Sequence, residues 1–155
     1  MTRQRALDTL DRIAAETPAV ALEFVRFHGD LRLFLTTREL AEHCNVHDRL
    51  VLSWINHGYI HSAKTQLRSN CHLFPARELA GLPTEGNTLE FETVRLRDLR
   101  LYLKTGEVAQ LCGVHDRLVL LWIQLELIRS ARDKLGCAHH AVPVGELARL
   151  VELAA

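Results

Sequence analysis

The sequence predicts a mainly α fold with short β-hairpins, built as two tandem copies of one small unit behind an N-terminal helical segment. Self-similarity is the first observation behind this. Asp30-Leu-Arg-Leu-Phe-Leu returns as Asp98-Leu-Arg-Leu-Tyr-Leu, a shift of 68 residues. The same shift carries Val46-His-Asp-Arg-Leu-Val-Leu onto Val114-His-Asp-Arg-Leu-Val-Leu, Trp54-Ile onto Trp122-Ile, and Glu78-Leu-Ala onto Glu146-Leu-Ala. About half of the positions between Asp30 and Leu82 are identical in their copies, and self-similarity of that length marks one structural unit used twice. The second observation is that helix starts, helix stops and short apolar runs follow the same order in both copies. The expected division is an N-terminal helical segment over 1–29, a first unit over 30–82, a linker over 83–97 and a second unit over 98–155. A unit of little more than fifty residues has a marginal core. The two are therefore expected to pack on each other or on a partner.

In chain order, residues 4–16 place Leu7, Leu10, Ile13 and Ala14 on one helical face. Thr17-Pro18 has the form of a second helix start, Thr as N-cap and Pro in the first turn. A short helix to about Phe27 is expected, although Val20, Leu22, Phe24, Val25 and Phe27 would also suit a strand. This segment, which has no clear full-length copy, could serve as a lid on the cores or as a dimerisation element.

Within the unit, Leu31, Leu33 and Leu35 alternate as in a short strand. Thr36 followed by Glu39 is a capping-box spacing and opens a helix through Cys44. Asn45, and Gly113 in the copy, stand where a helix ends in the left-handed region. A second helix runs from about His47 to His57 and stops at Gly58, with Asp48 and Asp116 in its first turn where they complement the helix dipole. Trp54 and Trp122 fall within its apolar period and read as core residues; His57 and His61 read as solvated. Tyr59–Ala63 and Cys71–Phe74 read as two strands of a hairpin. Pro75 then starts a short helix through Leu82, lengthened in the second copy with Leu147, Leu150 and Val151 on one face. Pro83-Thr-Glu-Gly-Asn-Thr is a linker.

The 155 residues are 48% hydrophobic and 25% charged, an average soluble composition. Lys+Arg and Asp+Glu are both 19, so there is no excess positive charge to hold nucleic acid non-specifically, and any such binding must use a local face. No apolar run reaches the ~18 residues of a membrane span, and the N-terminus lacks a signal peptide's apolar core, so a cytoplasmic protein is expected. The four cysteines then read as thiols, Cys44 and Cys112 as small core residues.

Strand, helix, tight turn, helix, hairpin and short helix is the order of a winged helix-turn-helix. The run Leu35-Thr-Thr-Arg-Glu-Leu-Ala-Glu-His-Cys-Asn-Val-His-Asp-Arg-Leu-Val-Leu-Ser-Trp-Ile-Asn-His-Gly-Tyr-Ile, followed by Phe74-Pro and Glu78-Leu, resembles the MerR/excisionase-type DNA-binding domain. The resemblance covers most of 31–82 and 99–150. It implies that the second helix enters the major groove and that the wing touches DNA backbone. Carried over, it assigns DNA contacts to His47, Arg49, Ser53 and Asn56, to His115 and Arg117, and to wing residues Lys64, Arg68, Arg129, Arg132 and Lys134. It implies a bacterial or phage-type, sequence-specific regulator of double-stranded DNA, either a transcriptional regulator or an excisionase-like recombination factor. No enzyme and no cofactor are expected from the residues themselves, because no glycine-rich phosphate loop appears and helix-capping and dipole roles account for Glu39, Glu107, Asp48 and Asp116.

This chain departs from the family pattern in places. Before the tryptophan, where the family carries polar or basic residues, stand Leu52-Ser53 in the first copy and Leu120-Leu121 in the second. Leucines fall all round the helix that follows Asp116, and a helix apolar on every side is expected to be buried on every side. Leu120, Leu121 and Leu125 are therefore read as an interface to the other unit, the N-terminal segment or a second subunit. Lys104 replaces the capping threonine.

An alternative is a pair of winged helices that has lost its DNA face and binds a protein, such as a regulator or polymerase subunit. A further one is zinc, because Cys44, His47, Cys71 and His72 map onto Cys112, His115, His139 and His140, four zinc-capable ligands in each copy. Against it, adjacent Cys71 and His72 would point to opposite faces of a strand. Core cysteines and surface histidines also account for the pattern.

Overall fold

The computed structural model describes residues 21–79, 89–132 and 139–155. The expected helix over 4–16, the Thr17-Pro18 helix start, residues 80–82 of the first unit's last helix, the linker from Pro83 to Thr88, and Lys134 lie outside the described residues. Among those described there are six α-helices and seven short strands, a mixed α/β composition in which the strands form three small antiparallel sheets.

The stretch before the first copy is a strand, β1 (Ala21–Phe27), not the helix expected there. Its apolar side chains explain the difference. On a strand Phe24 points to one face and Val25 and Phe27 include the other, and this chain has a core on each side. Phe24 packs in one core, and Val25 and Phe27 pack in the other. A helix over the same residues would gather them on one stripe. β1 turns at His28-Gly29, both at positive φ (51° and 83°), into β2 (Asp30–Arg32), a two-residue hairpin connection.

On its other edge β1 pairs antiparallel with β5 (Glu90–Arg95) through six residue pairs, from Ala21↔Arg95 to Arg26↔Glu90. Under the 68-residue shift β5 is the copy of Leu22–Phe27, and Phe24 stands opposite its own copy, Glu92. The backbone thus repeats upstream of Asp30, where the side chains no longer do. Arg26 crosses the ladder to Glu92 at 2.8 Å. The exposed charges Glu90, Glu92 and Arg95 suit the edge strand they occupy.

The expected strand over Leu31–Leu35 is split in two. β2 ends at Arg32, and β3 (Phe34–Thr36) belongs to another sheet. Between them, the Leu33 amide donates to the Leu111 carbonyl at 2.6 Å and hooks the first copy onto the second. Thr36 caps α1 (Thr37–Cys44). Its Oγ1 accepts from the Glu39 amide at 3.3 Å, and the Glu39 carboxylate accepts from the Thr36 amide at 3.0 Å. The copy α4 (Thr105–Cys112) keeps only the second half of that box, with the Lys104 amide donating to Glu107 at 3.1 Å. Asn45 (φ 55°) and Gly113 (φ 69°) end these helices in the left-handed region, as expected.

α2 (Asp48–Asn56) and α5 (Asp116–Gln124) follow, with Val51 and Trp54, and Val119 and Trp122, buried. The Trp122 indole N–H donates to the Leu67 carbonyl at 2.6 Å.

The expected hairpin of Tyr59–Ala63 with Cys71–Phe74 does not form. β4 (Leu73–Pro75) pairs with β3 instead, Phe34 opposite Pro75, and β6 (Tyr102–Leu103) pairs with β7 (Val142–Pro143) in the same way. Leu73, Phe74 and Pro75 are all buried, with Leu73 in the core of the second copy and Phe74 in that of the first. Of the expected ladder one backbone bond remains in each copy, Ala63 N–H to Leu73 O (2.8 Å) and Ala131 N–H to Ala141 O (2.7 Å). After β4 comes the short α3 (Ala76–Leu79); after β7 comes α6 (Glu146–Ala154), with Leu147, Leu150 and Val151 buried.

The two cores differ. One holds Leu35, Leu40, Val51, Trp54, Phe74 and Leu79 of the first copy. The other holds Leu103, Val108, Val119, Trp122, Leu147 and Leu150 of the second, and also takes in Phe24, Leu33, Phe34, Ala63, Leu67 and Leu73. Small units with marginal cores therefore share one.

Arg32 sits at the junction. Its guanidinium pairs with Glu39, lies 5.7 Å from the centre of the Phe27 ring and rests against Gly113. A Cβ on Gly113 would lie 2.7 Å from Arg32 Cζ, on a residue already at φ +69°. Gly113→Ala should therefore lower unfolding stability by about 1–3 kcal/mol, through left-handed strain and the clash together. Asn45→Gly at the equivalent turn should be neutral or stabilising by a few tenths, roughly. Urea-melt midpoints of the two variants check this.

Candidate nucleic-acid interface

Opposite the buried side of α2, positions i, i+3, i+4 and i+7 form one stripe: Arg49, Leu52, Ser53 and Asn56. Arg49, Leu52 and Asn56 are exposed and Ser53 is half-buried. The stripe begins at a defined helix start, where the His47 imidazole is the N-cap and Nδ1 accepts from the Arg49 amide at 3.1 Å. His115 does the same for the Arg117 amide, also at 3.1 Å. Asp48 and Arg49 form no ion pair with each other, so Arg49 projects without a carboxylate partner among the described residues. Ser53 and His57 are tied locally: His57 Nδ1 lies 2.8 Å from the Ser53 carbonyl, and its ring stacks on Tyr59 at 5.7 Å. His61, expected to be solvated, is half-buried with Nε2 3.1 Å from the Gln66 amide group.

Lys64 and Arg68 are exposed on the loop that follows, Arg68 at φ 56°. Serine and histidine, not a ladder, hold this loop. The Ser62 hydroxyl accepts from the Lys64 amide at 3.2 Å and lies 2.7 Å from His72 Nδ1. The copy repeats it, Ser130 accepting from the Arg132 amide at 3.2 Å and lying 2.9 Å from His140 Nδ1. The signal for these pairs was present in the sequence, since serine and histidine recur at the 68-residue shift in both positions. Nothing in the spacing, however, says that residues ten apart meet across a loop. Burial, and then the nearby Lys64 charge, lower the His72 pKa, which favours the neutral ring whose Nδ1 can accept from Ser62.

The second copy presents a different surface. Arg117 is exposed in place of Arg49. Leu120 and Leu125 are 42% and 45% exposed, and Leu121 is half-buried. The expectation that this helix is buried on every side is thus corrected. The core covers only the Val119–Trp122 side, and the rest of the described chain leaves the leucine side open. Arg129 is not a free cation: its amide (2.7 Å) and Nε (2.9 Å) both donate to Glu146, whose carboxylate is buried and needs that partner. Arg132 is half-buried.

The zinc set is not brought together. Each of His47, His115, His72 and His140 has Nδ1 engaged locally, Cys112 is wholly buried in the second core, and no three His, Cys, Asp or Glu among the described residues converge. Cys44 is half-buried, less enclosed than expected. No helix among the described residues is long and apolar enough to cross a membrane.

Burial raises the Cys112 thiol to about 12, with Arg32 pulling weakly the other way, and burial also raises Cys44. Cys71 is exposed. Among the described cysteines, native-state alkylation at pH 8, read peptide by peptide by mass spectrometry, should therefore label Cys71 first, Cys44 more slowly, and Cys112 only on unfolding. The His72 shift sets a pH dependence. Its folded pKa is lowered, so its contribution to stability is complete above the unfolded value near 6.5 and is lost as pH falls below it. Wild type should lose more of its urea midpoint than His72→Gln between pH 7 and about pH 5.

A scan against protein-family models, a search of curated proteins and a search of solved structures each found no match.

Proposed function

We propose that this chain is a sequence-specific regulator that binds double-stranded DNA, a transcriptional regulator or an excisionase-like recombination factor, using tandem winged helix-turn-helix units. In this reading the first copy does the reading of bases. The observation that carries it is the stripe on α2: Arg49, without a carboxylate partner among the described residues, then Ser53 and Asn56, on the solvent side of a helix that begins just after a tight left-handed turn. In a major groove such a stripe would offer arginine to guanine or phosphate and asparagine to adenine. Lys64 and Arg68, exposed on the Ser62–His72 loop, are suited to phosphates, which position a protein without reading sequence. With acidic and basic residues equal in number, affinity would rest on this local face and not on net charge.

The open leucines of α5 favour a different role for the second copy. Leu120 and Leu125 are poor partners for phosphate or base edges and good ones for an apolar protein surface. If DNA binding fails, the same leucines support the alternative of a protein-interaction module that recruits a regulator or polymerase subunit.

Fluorescence anisotropy on random-sequence duplex DNA tests the reading. Micromolar binding at low salt is expected, with log K falling against log salt at a slope of about −3, as for three to four phosphate contacts. Arg49→Ala combined with Lys64→Ala should weaken it at least about tenfold. No binding at low salt would overturn the proposal. Binding that survives the double substitution would overturn this assignment of residues.

A further inference from the structure

We infer that α5 pairs antiparallel with the α5 of a second copy of this chain, through Leu120, Leu121 and Leu125, with Arg117 of each chain set against Glu126 of the other. Three observations lead there. The first is the contrast between the two copies of one helix. α2 and α5 share their N-cap, their buried valine and tryptophan and their positive-φ stop, at Gly58 and Glu126. On the outer stripe Ser53 becomes Leu121, Asn56 becomes Gln124 and His57 becomes Leu125, while Leu52 and Leu120 are both leucine. The core does not account for the change at 125, because Leu125 remains 45% exposed, and it joins Leu120, which is open (42%) like its counterpart Leu52 (40%). Apolar residues clustered on one open helix face mark a contact surface.

The second observation is the charge at the two ends of that stripe, which makes it complementary to itself. Its start carries Asp116 and Arg117; its end carries Glu126 and Arg149, whose Nη2 donates to the Glu126 carbonyl at 3.3 Å. Arg117 and the Glu126 carboxylate form no ion pair among the described residues. The Asp116 carboxylate leans back toward the start of α4, 3.9 Å from where a Cβ on Gly106 would stand. An antiparallel two-fold brings Arg117 to Glu126 twice. A parallel arrangement would oppose Arg117 to Arg117. Isologous pairing of one patch with itself is the commonest form of oligomer contact.

The third observation is that a chain with equal numbers of acidic and basic residues has no net charge to resist self-association. The inference stands apart from DNA binding. Only its corollary, two α2 helices related by a two-fold and hence a palindromic target, rests on the DNA reading.

Sedimentation equilibrium on the full chain, without DNA, between about 1 and 200 μM tests it, because a single-helix contact is small and should dissociate in the micromolar range. A dimer is expected. Leu120→Asp with Leu125→Asp should raise its dissociation constant at least about tenfold with the urea midpoint unchanged, whereas Leu52→Asp on α2 should leave it within about twofold. Arg117→Glu should weaken the dimer by about tenfold, and adding Glu126→Arg should restore it to within about threefold. A monomer throughout that range, a dimer indifferent to the leucine substitutions, or a charge exchange that fails to restore it would each overturn the inference.

Discussion

Successive side chains of an extended strand point to opposite faces, and in β1 both faces are apolar. Much of this structure depends on that constraint. Phe24 needs one core and Val25 and Phe27 need another, so β1 has to lie between two helical clusters. Its neighbours settle which clusters these are. β2 leads directly into the first copy, and β5 leads directly into the second. The ladder that joins β1 to β5 thus joins the two copies, and it does so between strands that are themselves 68-residue counterparts.

Several asymmetries between the copies can be traced to this arrangement. Once β2 is held on β1, Leu33 lies within hydrogen-bonding reach of Leu111, and Arg32 is carried against Gly113. The counterpart of that arginine, Arg100, pairs with Glu107 in solvent at 3.2 Å, with its side chain 70% exposed. The same ion pair is therefore a half-buried clamp in one copy and a surface pair in the other, and surface pairs contribute little to stability. Glycine at 113 follows the same logic: its turn is left-handed like that of Asn45, and the Arg32 guanidinium packs on its α-carbon, where a Cβ would not fit.

On the outside, α2 and α5 share a backbone and differ in what they show. The first offers Arg49, Ser53 and Asn56; the second offers Leu120, Leu121 and Leu125 behind the same arginine. Both helices expose leucine, Leu52 in α2 and Leu120 in α5, but polar Ser53 and Asn56 flank the first and Leu121 and Leu125 flank the second, so one scaffold can divide contact with a polyanion from contact with another chain. This division underlies both the proposed regulator and the proposed pairing of α5.

Signals confined to a few neighbouring residues were legible in the sequence. Thr36 and Glu39 spell a capping box, Asn45 and Gly113 a left-handed stop, and Val51 with Trp54 a buried stripe, because each depends on bonds or periods within one or two helical turns. The exposed positions of Arg49 and Asn56 follow from the same period. Three things depended on the tertiary structure. β1 is a strand because two cores flank it, and one sequence window holds only its own side chains. β4 pairs with β3 rather than across the Ser62–His72 loop because that placement buries Leu73, Phe74 and Pro75 together, a choice between partners distant in sequence. Leu120 and Leu125 of α5 stay open among the described residues because what covers a helix face is set by neighbouring elements. Periodicity shows which residues share a face, and only the packed chain decides whether anything lies against it.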